Sequence, residues 1–263
     1  MKTKRFWVVL GICAACTLVA LVLYGLMGDF RYDQFQEAEL YTQDLRTRLG
    51  RKTPVDPRLV LIGIDRPLYE ASDFGEEVLQ STPILRELQK SFPWKRTVWA
   101  ELVEKLAAAG AKVIVFDLVF ASPNEGDEAL RQTLQKHKDK VIIGCSLSPQ
   151  KTDRGGNVLQ LLTPNSDVLP SPNTDALIQD DRLGYVNIPE DFDGVVRRAA
   201  FRQTGQQAGF VVSRDVMLES LAARALRKFG RADAIPVGTG PVRFRYGNAP
   251  GYGYRVHPIG DVL

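Results

Sequence analysis

"VFDLVFASPNEGDEALRQTL", Val115–Leu134, passes from an almost purely apolar run into a loop bearing Asp117, Asn124, Glu125 and Asp127. An apolar run of this length, ended by Ser, Pro, Asn and Gly, reads as a strand buried on both faces; the stretch after Gly126 then takes up helical spacing. Two similar runs flank it: "RLVLIGID" (58–65) before it and "KVIIGCSL" (140–147) after it. Between the first two strands, "TVWAELVEKLAAAG" places Trp99, Leu102, Val103 and Leu106 on one face and Gly110 as the stop. Strand, helix, strand, helix, strand predicts an α/β fold: a layered, mainly parallel sheet with flanking helices.

Beyond Ser148 the pattern changes. "GYVNI" and "VVRRAAF" on either side of "PEDFDG" read as an antiparallel hairpin, and "SRDVMLESLAARALRKFG" as a helix capped by Ser213. "PVRFRYG" reads as a last strand, followed by a Gly/Tyr-rich tail.

Before the first strand lie two further segments. Lys2, Lys4 and Arg5 precede an uncharged stretch from Phe6 to Met27, long enough at about 1.5 Å per residue to cross a bilayer. Residues 1–28 are therefore expected to form one N-terminal transmembrane anchor in the inner membrane, N-terminus cytoplasmic and the bulk of the chain extracytoplasmic. Residues 29–50 carry Phe35, Ala38, Tyr41, Leu45 and Leu49 at helical spacing, which predicts a juxtamembrane helix whose apolar face joins two copies in a homodimer. Residues 51–263 form the remaining domain, opened by the turn-rich "RKTPVDP".

Composition narrows the function classes. A net charge of +3, from 34 basic and 31 acidic residues, sets nucleic acid aside as a partner. Cys145 is the one thiol beyond the anchor, so no disulfide is expected in the exported part, and its apolar strand makes it a buried side chain rather than a nucleophile. Two histidines, His137 and His257, make no metal site, and no glycine-rich phosphate loop follows the first strand; no cofactor is implied.

Asp65 and Asp117 each end a strand of an expected adjacent pair, at the sheet edge where open α/β sheets take ligands. Two roles stand open for them: holding a ligand or cation at the rim, or satisfying backbone N–H groups where strand turns to loop. Trp94 and Arg96 in "SFPWKRTVW" either line that pocket, Arg96 clamping an anion, or pack under the sheet with Arg96 bridging to an acid. Asp127 reads as a cap or first-turn acid of its helix, and Asp191 and Asp193 as turn residues, the other ligands of a calcium loop being absent.

"DLRTRL", "RLVLIGID", "FPWKRTVWAELVEKLAAAGAKVIVFDLVF", "GDEALRQTL" and "GYVNIPEDFDGVVRRAAF" together resemble the CHASE type 2 family of cyclase/histidine-kinase-associated sensory extracellular domains. The resemblance covers roughly Asp44 to Leu263. It implies an exported sensor, no enzyme, binding a small-molecule or protein ligand of unspecified identity ahead of a cyclase or kinase module. Arg66 stands where an acid often follows the first strand's Asp, 67–91 is longer than usual, and the chain is expected to carry no output domain and to lack a final strand. The competing readings are a ligand-free dimerisation module and a metal-dependent hydrolase built on the rim carboxylates.

Overall fold

The computed structural model describes residues 2–26, 32–64, 76–151, 157–208, 216–247 and 253–263. They fall into two units: Met1–Asp56 with Arg245–Gly253, and Pro57–Phe244 with Tyr254–Leu263.

The first unit contains α1 (Lys2–Leu26) and α2 (Tyr32–Leu49). Phe6, Trp7, Val8 and Val9 are consecutive, about 100° apart around a helix, and all are exposed, so α1 is apolar on every side. Among the described residues no helix is long and apolar enough to cross a membrane. Along α2, Tyr41, Leu45 and Leu49 form an exposed stripe.

The second unit is the α/β body. In chain order it holds β1 (Leu61–Gly63), α3 (Glu76–Ser81), α4 (Pro83–Leu88), α5 (Arg96–Ala108), β2 (Ile114–Phe116) and α6 (Asp127–Lys136). β3 (Val141–Lys151), β4 (Asn157–Leu162), α7 (Thr174–Gln179), β5 (Leu183–Tyr185), β6 (Arg198–Ala199) and β7 (Arg202–Thr204) follow. β8 (Met217–Glu219), α8 (Leu221–Phe229), β9 (Val242–Arg243) and β10 (Val256–Pro258) complete it.

β3 is the spine. Its first half pairs in parallel with β2 on one side and β5 on the other, which explains why Val141, Ile142 and Ile143 are all fully buried: covered faces favour unbroken apolar runs over alternation. Its second half runs on as an antiparallel ribbon with β4. α5 packs against α6, and α8 against β5 and β3. Trp94, Val98, Trp99, Leu102, Val103, Leu130, Leu134 and Tyr185 join the strands in one core cluster. α5 ends where expected, Gly110 taking φ 89° after Ala108.

Several expectations are corrected. β1 pairs in parallel with β10, the Gly/Tyr-rich tail's own strand, while the described ladder of β2 runs to β3. "GYVNI" and "VVRRAAF" do turn about Gly194, yet they do not pair with each other: β5 joins the parallel sheet through β3, and β6 pairs antiparallel with β9. The expected helix from Ser213 begins later. Met217–Glu219 forms strand β8, paired to β7, and Ser220 caps α8, its hydroxyl accepting from the Ala223 N–H at 3.2 Å. The strand is fixed by Glu219, buried and paired with Arg224 at 3.2 Å and Arg227 at 2.7 Å, a demand of tertiary structure that helical spacing does not reveal. Ser213 lies outside the described residues.

Candidate functional site

The loop between β2 and α6 is built around one buried ion pair. Arg96 is the first residue of α5, and its backbone N–H donates to the Glu125 carbonyl at 2.8 Å, which leads its side chain inward. There Nε donates to Asp127 Oδ1 at 3.1 Å, a terminal nitrogen donates to the Ser122 carbonyl at 2.9 Å, and the guanidinium lies 4.8 Å from the Phe120 ring centre. Arg96 and Asp127 are 6% and 7% exposed. An ion pair so enclosed needs its remaining polar atoms partnered, and the second carboxylate oxygen is: Asp127 Oδ2 accepts from the Asn124 backbone N–H at 2.9 Å and from Asn165 Nδ2 at 3.1 Å.

Asn124 ties the loop on the other side, donating from its amide to the Trp94 carbonyl at 3.1 Å and accepting from the Glu125 N–H at 2.7 Å. Gly126 is required here. It sits at φ 90°, and a Cβ would lie 2.8 Å from the Thr97 backbone nitrogen. The acidic loop is thus a rigid handover from sheet to helix, with Asp127 its hub rather than a simple cap.

Outside this knot lies an open depression of about 510 Å³ lined by Pro123, Asn124, Asp127, Glu128, Arg131 and Asp167. Its charges are partly matched: the Arg131 guanidinium hydrogen-bonds Glu128, holding that carboxyl below its ordinary value and its own dissociation above. Asp167, exposed, completes the acidic side. The volume suits a small ligand, and the lining offers both signs of charge.

Of the expected site residues, Asp117 directly follows β2 and is exposed. Trp94 is fully buried; its indole N–H donates to the Lys90 carbonyl at 3.0 Å and its ring lies 5.6 Å from that of Trp99, so it lines no opening and instead supports the rim from within. Arg96 takes the second of its two open roles, bridging to an acid, and its charge is spent on Asp127. Asp65 lies outside the described residues. Among the described residues, Trp94 and Arg96 are buried supports and Asp117 is exposed.

Sequence reading passed over Asn165, which follows β4 and has no local signal for its part in the knot. It also passed over the pairing inside "DFDGVVRR": Arg197 contacts Asp191 at 3.1 Å and Asp193 at 2.8 Å, and Arg198 Nε donates to Asp191 at 3.0 Å. The alternation of two acids and two arginines across a Gly turn was the available signal. Burial pushes the Cys145 thiol up to about 12, so it is no nucleophile near neutral pH. Among the described residues no three His, Cys, Asp or Glu side chains are placed to hold a metal.

With this architecture in place, the chain belongs to the CHASE2 domain family, whose family model matches residues 15–263. The family is one of sensory extracellular domains. No curated protein matches the chain, and no solved structure does.

Proposed function

We propose that this is the ligand-sensing part of a membrane-anchored signal-transduction receptor, facing the extracytoplasmic side. The observation that carries the reading is the rim beyond β2, where a depression of about 510 Å³ is held open by the buried Arg96–Asp127 knot. Rigid support beneath an open, charged hollow is what a binding site needs if the ligand is not to pay for ordering it. Glu128, Arg131 and Asp167 line the depression and are the residues proposed to meet the ligand, with Asp117, directly after β2, as a further candidate; Trp94, through its carbonyl's bond from Asn124, and Arg96, through Asp127, support the lining. A mixed-charge lining favours a small zwitterionic or polar ligand.

Anchoring is supported by the uncharged stretch from Phe6 to Met27 and by the exposed apolar side chains around α1, with Lys2, Lys4 and Arg5 ahead of it setting the orientation. That stretch continues past the side chains that are described.

The test is a thermal-shift panel of polar metabolites and divalent cations on the full chain in detergent micelles, repeated with Asp117→Ala and Arg131→Ala. A ligand at a hundredfold over its Kd adds about 2.7 kcal/mol to stability. A hit weakened by either substitution supports the rim; hits indifferent to both, or none from a folded sample, remove it.

A second reading, a ligand-free dimerisation module, is favoured by the exposed Tyr41, Leu45 and Leu49 stripe on α2. Under it, the sedimentation mass falls to one copy in Tyr41→Ser/Leu45→Ser while Asp117→Ala leaves it unchanged.

A further inference from the structure

Among the described residues β4 is an edge strand, without the usual guards. Its sequence, "NVLQLL" (157–162), has neither charge nor proline, the two devices by which exposed strand edges repel other strands. Its hydrogen-bonding parity is fixed by its neighbour. On β3, the Leu147 N–H donates to the Asn187 side chain at 2.6 Å and the Cys145 carbonyl accepts from Val186 at 2.9 Å, so odd-numbered β3 residues bond away from β4. Pro149, which has no N–H to give, sits in the same odd set. The β3–β4 register therefore makes Ser146↔Leu162, Ser148↔Gln160 and Gln150↔Val158 the bonded pairs. It follows that the N–H and C=O of Leu159 and Leu161 point to the outer edge, where no hydrogen bond reaches them among the described residues.

The outward backbone groups of Leu161 belong to a residue only 7% exposed overall. Beside them is a hollow of about 400 Å³ whose floor is Leu161, Pro164, Leu169 and Leu177 and whose rim carries Gln160, Ser171 and Thr174; no charged residue lines it. Gln160 and Leu161 point to opposite faces of the strand yet both line it, which places the hollow against the strand's edge rather than on one face.

We propose that this edge receives an extended peptide segment of a partner protein, paired to Leu159 and Leu161 through its backbone, with one uncharged apolar side chain seated in the hollow. A second copy of β4 is the competing occupant, which the test separates by its dependence on protein concentration. The hollow shares no lining residue with the depression beyond β2, although Ser166 of one and Asp167 of the other are adjacent, so the test carries a substitution for each.

The test uses the full chain in detergent micelles and capped, labelled heptapeptides Ser-Thr-Thr-X-Thr-Thr-Ser, X being Leu, Ala or Lys, read by anisotropy and by amide exchange at Leu159 and Leu161. The Leu peptide is expected to bind saturably and protect both amides, with Ala at least about tenfold weaker and Lys silent. Leu159→Pro, which deletes an outward N–H and leaves the β3 ladder intact, abolishes binding while Asp117→Ala does not. Should Leu159→Pro not fold, Thr174→Arg plugs the hollow from its exposed rim and erases the preference for Leu over Ala. The proposal is overturned by no saturable binding, by equal binding of all three peptides, by indifference to these substitutions, or by peptide-free protection that rises with protein concentration, which assigns the edge to a second copy.

Discussion

The side chain of Asn187 holds the backbone of Leu147 from both ends, accepting from its N–H at 2.6 Å and donating to its carbonyl at 2.8 Å. β5 stops at Tyr185, and Asn187 imitates the next peptide group of that strand, carrying the β3 ladder one step further. Leu147 is buried, so Asn187→Ala leaves two enclosed polar groups unpaired and should cost about 1–3 kcal/mol in urea denaturation. A loss under about 0.5 kcal/mol would mean that water replaces the amide.

The Arg96–Asp127 pair gives a prediction about non-additivity. Arg96→Met or Asp127→Leu alone strands a buried charge and should cost about 3–5 kcal/mol, whereas the double substitution removes both charges and should cost clearly less than the sum. Additive losses in a double-mutant cycle would show that the two side chains act separately.

Gly184 lies under the start of α8, where a Cβ would come 2.7 Å from the Leu221 backbone nitrogen and 2.8 Å from its Cα. Backbone cannot step aside as a flexible side chain does. Gly184→Ala should therefore destabilise by about 1–3 kcal/mol, with Gly240→Ala, which meets nothing within 4 Å, as the near-neutral comparison.

Arg197 hydrogen bonds hold the Asp193 carboxyl down at about 2 against an ordinary 3.8, overcoming a slight opposing effect of burial. A depressed carboxylate contributes its stability in full above the ordinary value and loses it as pH falls towards the depressed one. The turn from Asp191 to Arg198 should thus loosen between about pH 4 and 2. Carboxyl-carbon NMR titration checks this: the Asp193 midpoint should rise towards the ordinary value in Arg197→Gln, and an unmoved midpoint would acquit Arg197.

The parallel body was legible because burial on both faces writes itself into composition. Val141 to Ile143 need no polar residue anywhere, and Trp99, Leu102 and Val103 repeat at helical spacing against them. The pairing of β1 with β10 and of β6 with β9 was not legible, since each joins two or three residues to a segment far along the chain and carries no local pattern. At the site, Arg96 was legible as a residue that clamps an anion or bridges to an acid and Asp127 as a cap or first-turn acid, yet their union, 31 positions apart, depends on how the β2–α6 loop folds back over the start of α5. Side chains such as Asn124, Asn165 and Asn187 act through that long-range geometry, and an isolated Asn in a sequence announces only a turn.

The β1–β10 pairing also sets a timetable. Leu61 meets Val256, ~195 residues later, so the first strand to leave the ribosome is the last to be hydrogen-bonded. Until then "LVLIG" waits as a bare apolar segment, while β2, β3 and β5 can assemble from neighbours already made. A contact of such sequence separation is slow to close. The second unit should accordingly mature from its middle outwards, with the seam between its two ends sealing only after synthesis has passed residue 258.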